Sequence, residues 1–287
     1  MASRSAKKYC YLNGRILPEK DAKVSINDIG IIRGFGIFDV MRAYNGKPFL
    51  FDMHIRRFIN SAKLLGLKFS VPPKKVKEII ITLLKKNNMP NDQVRLILTG
   101  GEAIEGIFFN KKQPTFYIII EKFTSFPKPL YEKGGKLMVE EFQRIFPEAK
   151  TLNYITAVSL QQKRLKEKAV EILYTLRGKV FEASTSNIFI VKKGRLITPE
   201  KNILIGTTRN FVISLAKGKY AVTRRDVTLK DLYTADEVFI TATNKEIVPI
   251  VNVGGKIAGG GKPGQVTLEL MKKFRDKVGK HSAIPAL

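Results

Sequence analysis

With 287 residues and 32.3 kDa the chain is long enough to build two cores, and 44% apolar with 26% charged residues excludes global disorder. Its 51 Lys and Arg against 25 Asp and Glu give a formal charge of +26, which suits attraction of anionic small molecules. The basic residues are spread through nearly every segment without a helix-turn-helix, zinc-finger or aromatic-rich RNA-binding signature, so no specific nucleic-acid function is expected.

A single cysteine, Cys10, excludes an intrachain disulfide and a multi-cysteine metal site. Histidine occurs at His54 and His281 alone, so neither a zinc centre nor a histidine triad is expected. No apolar run approaches the roughly 18 residues of a membrane span. Met-Ala-Ser-Arg-Ser-Ala-Lys-Lys leads into Tyr9 without an apolar secretory region, so a cytoplasmic protein without a membrane partner is expected.

In chain order, Tyr9 to Leu17 reads as a hairpin turning at Asn13-Gly14. Ile29-Gly-Ile-Ile-Arg-Gly-Phe-Gly-Ile-Phe38 interleaves glycines with apolar residues in a spacing that is no dinucleotide fingerprint; such glycines permit close backbone approach next to a ligand. Phe38 to Tyr44 alternates like a strand and turns at Asn45-Gly46 before Pro48 to Phe51. Helical periodicity runs from His54 to Leu67 and from Pro73 to Asn88. Val94 to Thr99 and Pro114 to Ile120 read as strands flanking a flexible Gly100 to Gly106 loop.

Periodicity is lost between Glu121 and Tyr131, where two prolines occur. The expected organisation is therefore an N-terminal domain over 1–121, a linker over 122–131 and a C-terminal cofactor-binding domain over 132–287. In the second half the strand Gly135 to Glu141 precedes a helix from Ile155 to Ala169 and strands at Glu171–Tyr174, around Glu182, and at Ile188–Val191. Arg195 to Pro199 returns after Gly194, Thr208 to Ala216 is helical, and Tyr220–Arg224 and Glu237–Thr243 are strands on either side of a short turn at Leu229–Leu232. A final helix runs to about Val278. Runs of strands and paired helices, rather than repeated βαβ units, make the class α+β.

Two segments carry chemistry. Lys150 stands among small and polar residues, and Glu182 is an isolated carboxylate about thirty residues later. An amine to hold an aldehyde and an acid to keep a pyridine nitrogen protonated are the pair that pyridoxal 5'-phosphate requires.

These segments, in this order from about Tyr11 to Phe274, resemble the class IV aminotransferases, the fold type IV pyridoxal-phosphate enzymes that include branched-chain aminotransferases, D-amino acid transaminases and aminodeoxychorismate lyases. The resemblance implies a two-domain architecture with a smaller N-terminal α/β domain and a larger C-terminal mixed-sheet, barrel-like domain. In Lys150-Thr-Leu-Asn-Tyr154 it makes Lys150 the Schiff-base lysine, and Glu182 the residue facing the pyridine nitrogen. Ile203-Leu-Ile-Gly-Thr-Thr-Arg209 is similar to the phosphate-binding turn and Thr241-Ala-Thr243 to the other phosphate-side segment, while Arg57 matches a phosphate-contacting arginine.

Gly206, Thr207, Thr208 and Thr243 suit a phosphate cup, though Thr207 or Thr208 as a helix cap and Arg57 as a surface arginine are the alternatives. Tyr154 is placed near the cofactor's phenolic oxygen or in a core or interface. Leu204 packs on the ring, and Asn187 supports it. The implied substrate residues are Arg33, Phe38, Arg95 and Ala242, with Arg33 supplied across a homodimer; Phe38, Met41 and Ile107 are expected to form an apolar side-chain pocket. Arg33 or Arg95 as an interface or solvent-facing residue is the alternative.

The tyrosines that often accompany branched-chain specificity are absent at Arg33 and Gln93, and Thr99-Gly100-Gly101 lacks the arginine of familiar D-amino acid transaminases. The pattern is closest to an atypical D-amino acid group, with branched-chain L-amino acids as the alternative, then lyase or amine-transaminase chemistry. Substrates would be amino acids and 2-oxo acids such as 2-oxoglutarate or pyruvate.

Overall fold

Alternation marks strands such as Thr115–Glu121, whose buried and half-buried positions take turns, whereas the central strands of the larger sheet are buried on both faces; a computed structural model of the chain describes residues 8–279. His281 lies outside the described residues. The chain forms two units, one of residues 8–124 with 149–153 and one of residues 125–148 with 154–279. The segment that carries Lys150 therefore packs into the first unit.

In the first unit, β1 (Tyr9–Leu12), β2 (Arg15–Pro18), α1 (Ile29–Arg33), β3 (Gly36–Tyr44), β4 (Lys47–Pro48), α2 (Phe51–Leu64), α3 (Pro73–Lys86), β5 (Gln93–Thr99), β6 (Ala103–Glu105), β7 (Phe108–Phe109) and β8 (Thr115–Glu121) follow one another. Six strands form an antiparallel sheet in the order β2-β1-β8-β5-β3-β4. One face carries Ile37, Met41, Val94, Leu96, Leu98, Ile118 and Ile120 into a core with Ile55, Phe58, Ile80, Leu83 and Leu84 of the two long helices. Met41 thus lies in this core. Three positions along a strand reverse the side-chain direction, so Met41 points away from Phe38 and the expected Phe38–Met41–Ile107 pocket is corrected.

Other departures are local. The glycine-rich stretch contains the short helix α1, capped by the Asp28 carboxylate on the Gly30 N–H at 2.7 Å. At Gly36 a Cβ would meet the Leu98 carbonyl at 2.8 Å and Leu152 at 2.7 Å, so this glycine admits neighbouring protein chain. The expected Gly100–Gly106 loop contains β6, which pairs with β7 in a two-stranded ribbon.

The second unit contains α4 (Lys128–Lys133), β9 (Gly135–Glu141), α5 (Ile155–Ser159), α6 (Gln161–Lys166), β10 (Glu171–Leu176), β11 (Lys179–Ala183), β12 (Asn187–Lys192), β13 (Arg195–Thr198), α7 (Thr207–Ala216), β14 (Val222–Arg224), β15 (Val227–Thr228), α8 (Leu229–Tyr233), β16 (Glu237–Ala242), β17 (Glu246–Val253), β18 (Lys256–Ile257) and α9 (Gln265–Gly279). Its ten-stranded mixed sheet is curled as a half-barrel, ordered β14-β13-β12-β16-β17-β9-β10-β11-β15 with β18 on β17. The stretch read as a linker includes the start of α4, whose proline in the first turn is compatible with a helix N-terminus. The single helix expected over Ile155–Ala169 is two, meeting at Leu160.

No helix among the described residues is long and apolar enough to cross a membrane.

Candidate active site

On α2, His54, Arg57 and Ser61 recur at three- and four-residue spacing and so share one stripe of the helix. Asp39, on the core face of β3 between Ile37 and Met41, meets that stripe. Its Oδ1 lies 2.7 Å from His54 Nδ1, while Arg57 donates from Nε to Oδ2 and from Nη2 to Oδ1, each at 2.8 Å. Burial by itself would raise the Asp39 pKa, but the Arg57 and His54 partners outweigh it and hold the carboxyl well below the usual range. Burial lowers the His54 pKa, aided by the Arg57 and Lys150 cations and opposed by Asp39. Arg57 is therefore held side-on by an internal carboxylate.

Ser61 Oγ, at the next turn, accepts the Lys150 N–H at 3.0 Å, and the Lys150 carbonyl accepts from the Phe38 N–H at 3.0 Å. The lysine backbone is thus anchored on both sides, to helix and to strand. Its Nζ lies 4.5 Å from the centroid of the Phe38 ring. The Arg95 guanidinium carbon lies 5.4 Å from the same centroid. Strand register explains this: Phe38, Val40, Arg95, Ile97, Tyr117 and Ile119 lie on the sheet face opposite the helices. Arg95 is itself paired with Glu121, Nε to Oε1 at 2.9 Å and Nη2 to Oε2 at 3.0 Å. Arg33 is not brought to this group; exposed on α1, it donates from Nη1 to the Ile32 carbonyl at 2.9 Å.

In the second unit, Glu182 is buried on β11. Its Oε2 accepts the Leu204 N–H at 3.0 Å and its Oε1 forms an ion pair with Arg144 Nε at 3.1 Å. The Leu204 carbonyl accepts from the Asn187 amide at 2.7 Å, so both polar groups of this residue's backbone are fixed by site side chains. At Gly206 a Cβ would stand 2.0 Å from Asn187 Oδ1, so no side chain fits there.

Gly206 precedes α7, whose first two residues, Thr207 and Thr208, are buried and whose N-terminus has no side-chain cap. Thr241, paired with Asn187 across β16 and β12, has a buried hydroxyl without a hydrogen-bond partner. A positive helix end, two threonines and an orphaned hydroxyl fit an anionic phosphate. Ala242 is buried and accepts the Lys245 N–H at 3.3 Å, with Thr243 in the turn that follows.

Tyr154 begins α5 half-buried. Burial, then the neighbouring Tyr154 and Glu171, push the Tyr174 phenol up to about 12.

Sequence reasoning missed the residues that act on these residues. Asp39, Ser61, Glu121 and Arg144 each fix a candidate site group. Glu171, fully buried, accepts from the hydroxyls of Ser184, Thr185 and Ser186, from the Thr185 N–H at 2.7 Å and from Lys245 Nζ at 2.9 Å. That carboxylate pins the turn joining the Glu182 strand to Asn187. The signal was present for Asp39, a carboxylate on the apolar face of a strand, which requires a cationic partner. Glu121 and Arg144 gave none, because their partners depend on which strands are neighbours.

A lysine anchored through its backbone, a buried carboxylate with fixed partners and a threonine-rich helix start define a candidate pyridoxal-phosphate enzyme. The chain matches the family Amino-transferase class IV over residues 36–253. It is 37% identical over 277 residues to a putative branched-chain-amino-acid aminotransferase of Methanocaldococcus jannaschii, covering 93% of this chain and 95% of that one. With a D-alanine aminotransferase of Staphylococcus epidermidis it shares 31% identity over 280 residues, 95% and 98% of the two chains. Among solved structures it is similar to the Escherichia coli branched-chain amino acid aminotransferase, with TM-score 0.89, 26% identity and 96% of each chain covered. A branched-chain amino acid aminotransferase solved with pyridoxamine 5'-phosphate gives the same TM-score and identity, over 96% of this chain and 95% of that one. The chain belongs to the class IV aminotransferases, and it is an aminotransferase that uses pyridoxal 5'-phosphate.

Proposed function

We propose that the chain moves an amino group between an amino acid and a 2-oxo acid, with D-amino acids such as D-alanine and D-glutamate as favoured donors and 2-oxoglutarate or pyruvate as acceptors. The observation that carries this reading is the Phe38 ring, which has the Lys150 amine and the Arg95 guanidinium within 4.5 and 5.4 Å of its centroid. A carboxylate anchored on Arg95 would have its α-carbon within reach of that amine.

When bound, the cofactor supplies an electron sink for the carbanion formed at the substrate's α-carbon. Lys150 Nζ would hold the cofactor between turnovers and, once freed by the amino substrate, would move the proton from the substrate's α-carbon to the cofactor's C4′ carbon. Glu182, oriented by the Leu204 N–H and Arg144, would face the pyridine nitrogen. Arg57, Gly206, Thr207, Thr208 and Thr243 would hold the phosphate, and Tyr154, Asn187 and Leu204 would support the ring. Arg33, Phe38, Arg95 and Ala242 contact substrate. Arg33 would do so across a cytoplasmic homodimer; its exposed position beside Ile31, 62% exposed, supports a covered surface there.

A second reading, branched-chain L-amino acids, draws support from the Methanocaldococcus relative and from Val40, Ile97 and Ile119 beside Phe38. Aminodeoxychorismate lyase chemistry rests on fold alone: a putative 4-amino-4-deoxychorismate lyase of Legionella pneumophila has TM-score 0.81 at 24% identity.

The test mixes the purified holoenzyme with D-alanine, D-glutamate, L-leucine or L-glutamate and follows the absorbance of bound cofactor. Conversion by the D-amino acids is expected; conversion by the L-amino acids alone overturns the D reading in favour of the branched-chain one. Pyruvate release from aminodeoxychorismate without a 2-oxo acid acceptor would establish the lyase. Lys150→Ala removes the absorbance of the lysine-bound cofactor.

A further inference from the structure

The Arg95 guanidinium is already engaged by a carboxylate. Glu121 takes Nε–H and one N–H of Nη2 side-on, and Gln93 Nε2 donates to Glu121 Oε2 at 3.1 Å, steadying the acid in that position. Of the five guanidinium N–H donors, the outer edge formed by Nη1 and the second Nη2 hydrogen is not used by Glu121. That edge is a second fork, able to take one further carboxylate without displacing the first. The charge count then differs from that of an isolated arginine. A carboxylate on the outer edge is in contact with the cation, whereas a second negative group farther along the ligand meets a pair of net charge zero.

Across the central strands β3, β5 and β8 the cations of this sheet face are Arg42 and Arg95, with Arg15 and Lys47 out on β2 and β4 at the sheet's edges. Arg42, the other guanidinium, is covered by the Phe123 ring 3.2 Å from its centre and donates to the Asn91 carbonyl at 3.1 Å. We infer that Glu121 is a specificity-determining residue that holds Arg95 for one carboxylate and reduces the attraction that this arginine would otherwise exert on a second. The inference rests on the reading of Arg95 as the substrate-carboxylate anchor. A dicarboxylate such as 2-oxoglutarate would bind less well, relative to an apolar 2-oxo acid, than the arginine alone would allow.

Replacing Glu121 changes both the tether and the charge, and the two effects separate in a ratio. Loss of the tether weakens every carboxylate substrate alike and cancels between two acceptors, while loss of the negative charge favours the more negative acceptor. The experiment measures kcat/KM of the holoenzyme for 2-oxoglutarate and for 4-methyl-2-oxopentanoate, with whichever donor reacts in the absorbance assay. In Glu121→Gln the ratio of the first to the second rises about tenfold, and the rise shrinks in high salt because the pair is 31% and 27% exposed.

Glu121→Asp, which keeps the charge, stays within about twofold of the parent ratio. An unchanged or falling ratio in Glu121→Gln, or an equal rise in Glu121→Asp, overturns the inference. Arg95→Gln distinguishes its failure from that of the underlying reading. If that variant lowers kcat/KM for both acceptors while Glu121→Gln leaves the ratio alone, Glu121 is no selector. If Arg95→Gln lowers neither, Arg95 is not the anchor and the reading itself fails.

Discussion

Asp39 holds Arg57 side-on, through Nε and Nη2 at 2.8 Å each, in the same manner as Glu121 holds Arg95. Two arginines proposed to bind anionic groups are thus each oriented by a carboxylate of the protein. A long, mobile side chain becomes a fixed donor edge, and the ordering cost is met on folding rather than on binding. The two pairs differ in burial: Asp39 is inaccessible and Arg57 10% exposed, whereas Arg95 and Glu121 are both reached by water.

That difference predicts the effect of Asp39→Asn. A buried pair that loses one partner leaves an uncompensated charge, costing about 3–5 kcal/mol, while an exposed pair costs about 0–1 kcal/mol. Asp39→Asn should lower unfolding stability in denaturant by an amount in the first range and Glu121→Gln by one in the second. Arg57→Lys keeps the charge but loses the fork, and should weaken retention of pyridoxal phosphate on dialysis more than it lowers stability. Equal stability losses for Asp39→Asn and Glu121→Gln would contradict this account.

The Glu171–Lys245 pair lends itself to a double-mutant cycle. Both side chains are buried, and Glu171 also satisfies the Ser184–Ser186 turn. Burial alone would raise the Glu171 pKa, but Lys245, the Ser186 hydroxyl and the Thr185 N–H lower it below the usual value. Lys245→Met strands a buried carboxylate and should cost about 3–5 kcal/mol. Glu171→Gln strands a buried ammonium at similar cost, and the double variant should be less destabilised than the sum of the two. Additive losses in thermal or denaturant unfolding would show the two groups to be independent.

Much of this architecture was legible because alternation and turn chemistry are local. Asn13-Gly14 and Asn45-Gly46 lie at hairpin turns, and the 3.6-residue pattern locates α2 and α3 to within a few residues. The strand β17 was missed: its Pro249 lacks an N–H, which argues against a strand with neighbours on both sides, yet β17 lies between β16 and β9. Helix α1 was hidden by its glycines. Within the candidate site, Lys150 and Glu182 stood out through their neighbours in sequence. Their supports did not, since Ser61 lies 89 residues from Lys150, and Arg144 reaches Glu182 from another part of the chain.

Glu182 offers a test that separates charge from shape. Glutamine at this position still accepts the Leu204 N–H, so the backbone contact to the 203–206 turn survives. The negative charge does not survive, and with it goes stabilisation of a protonated pyridine. Glu182→Gln should lower kcat by about 10²–10³-fold, the size seen when a preorganised electrostatic group is removed. The unfolding free energy should change by no more than about 1–3 kcal/mol. A kcat within tenfold of the parent would remove Glu182 from its proposed place at the ring nitrogen.

His54 makes stability depend on pH, and its environment sets the sign. Burial, with the Arg57 and Lys150 cations, lowers its pKa in the folded protein below the ordinary 6.5, so the folded ring stays neutral where the unfolded one takes a proton. Below about pH 6.5 the unfolded state therefore binds more protons, and stability falls as pH falls, by up to about 1.4 kcal/mol per pH unit for one group. Asp39 adds to this at lower pH: its depressed pKa contributes stability that is present above the ordinary 3.8 and is lost as the pH falls further. Asparagine at position 54 can donate to Asp39 but does not titrate. Denaturant unfolding between pH 7 and 5 should therefore show a declining free energy in the parent and a flatter one in His54→Asn. Parallel slopes would mean that His54 binds its proton alike in the folded and unfolded protein, contrary to this account.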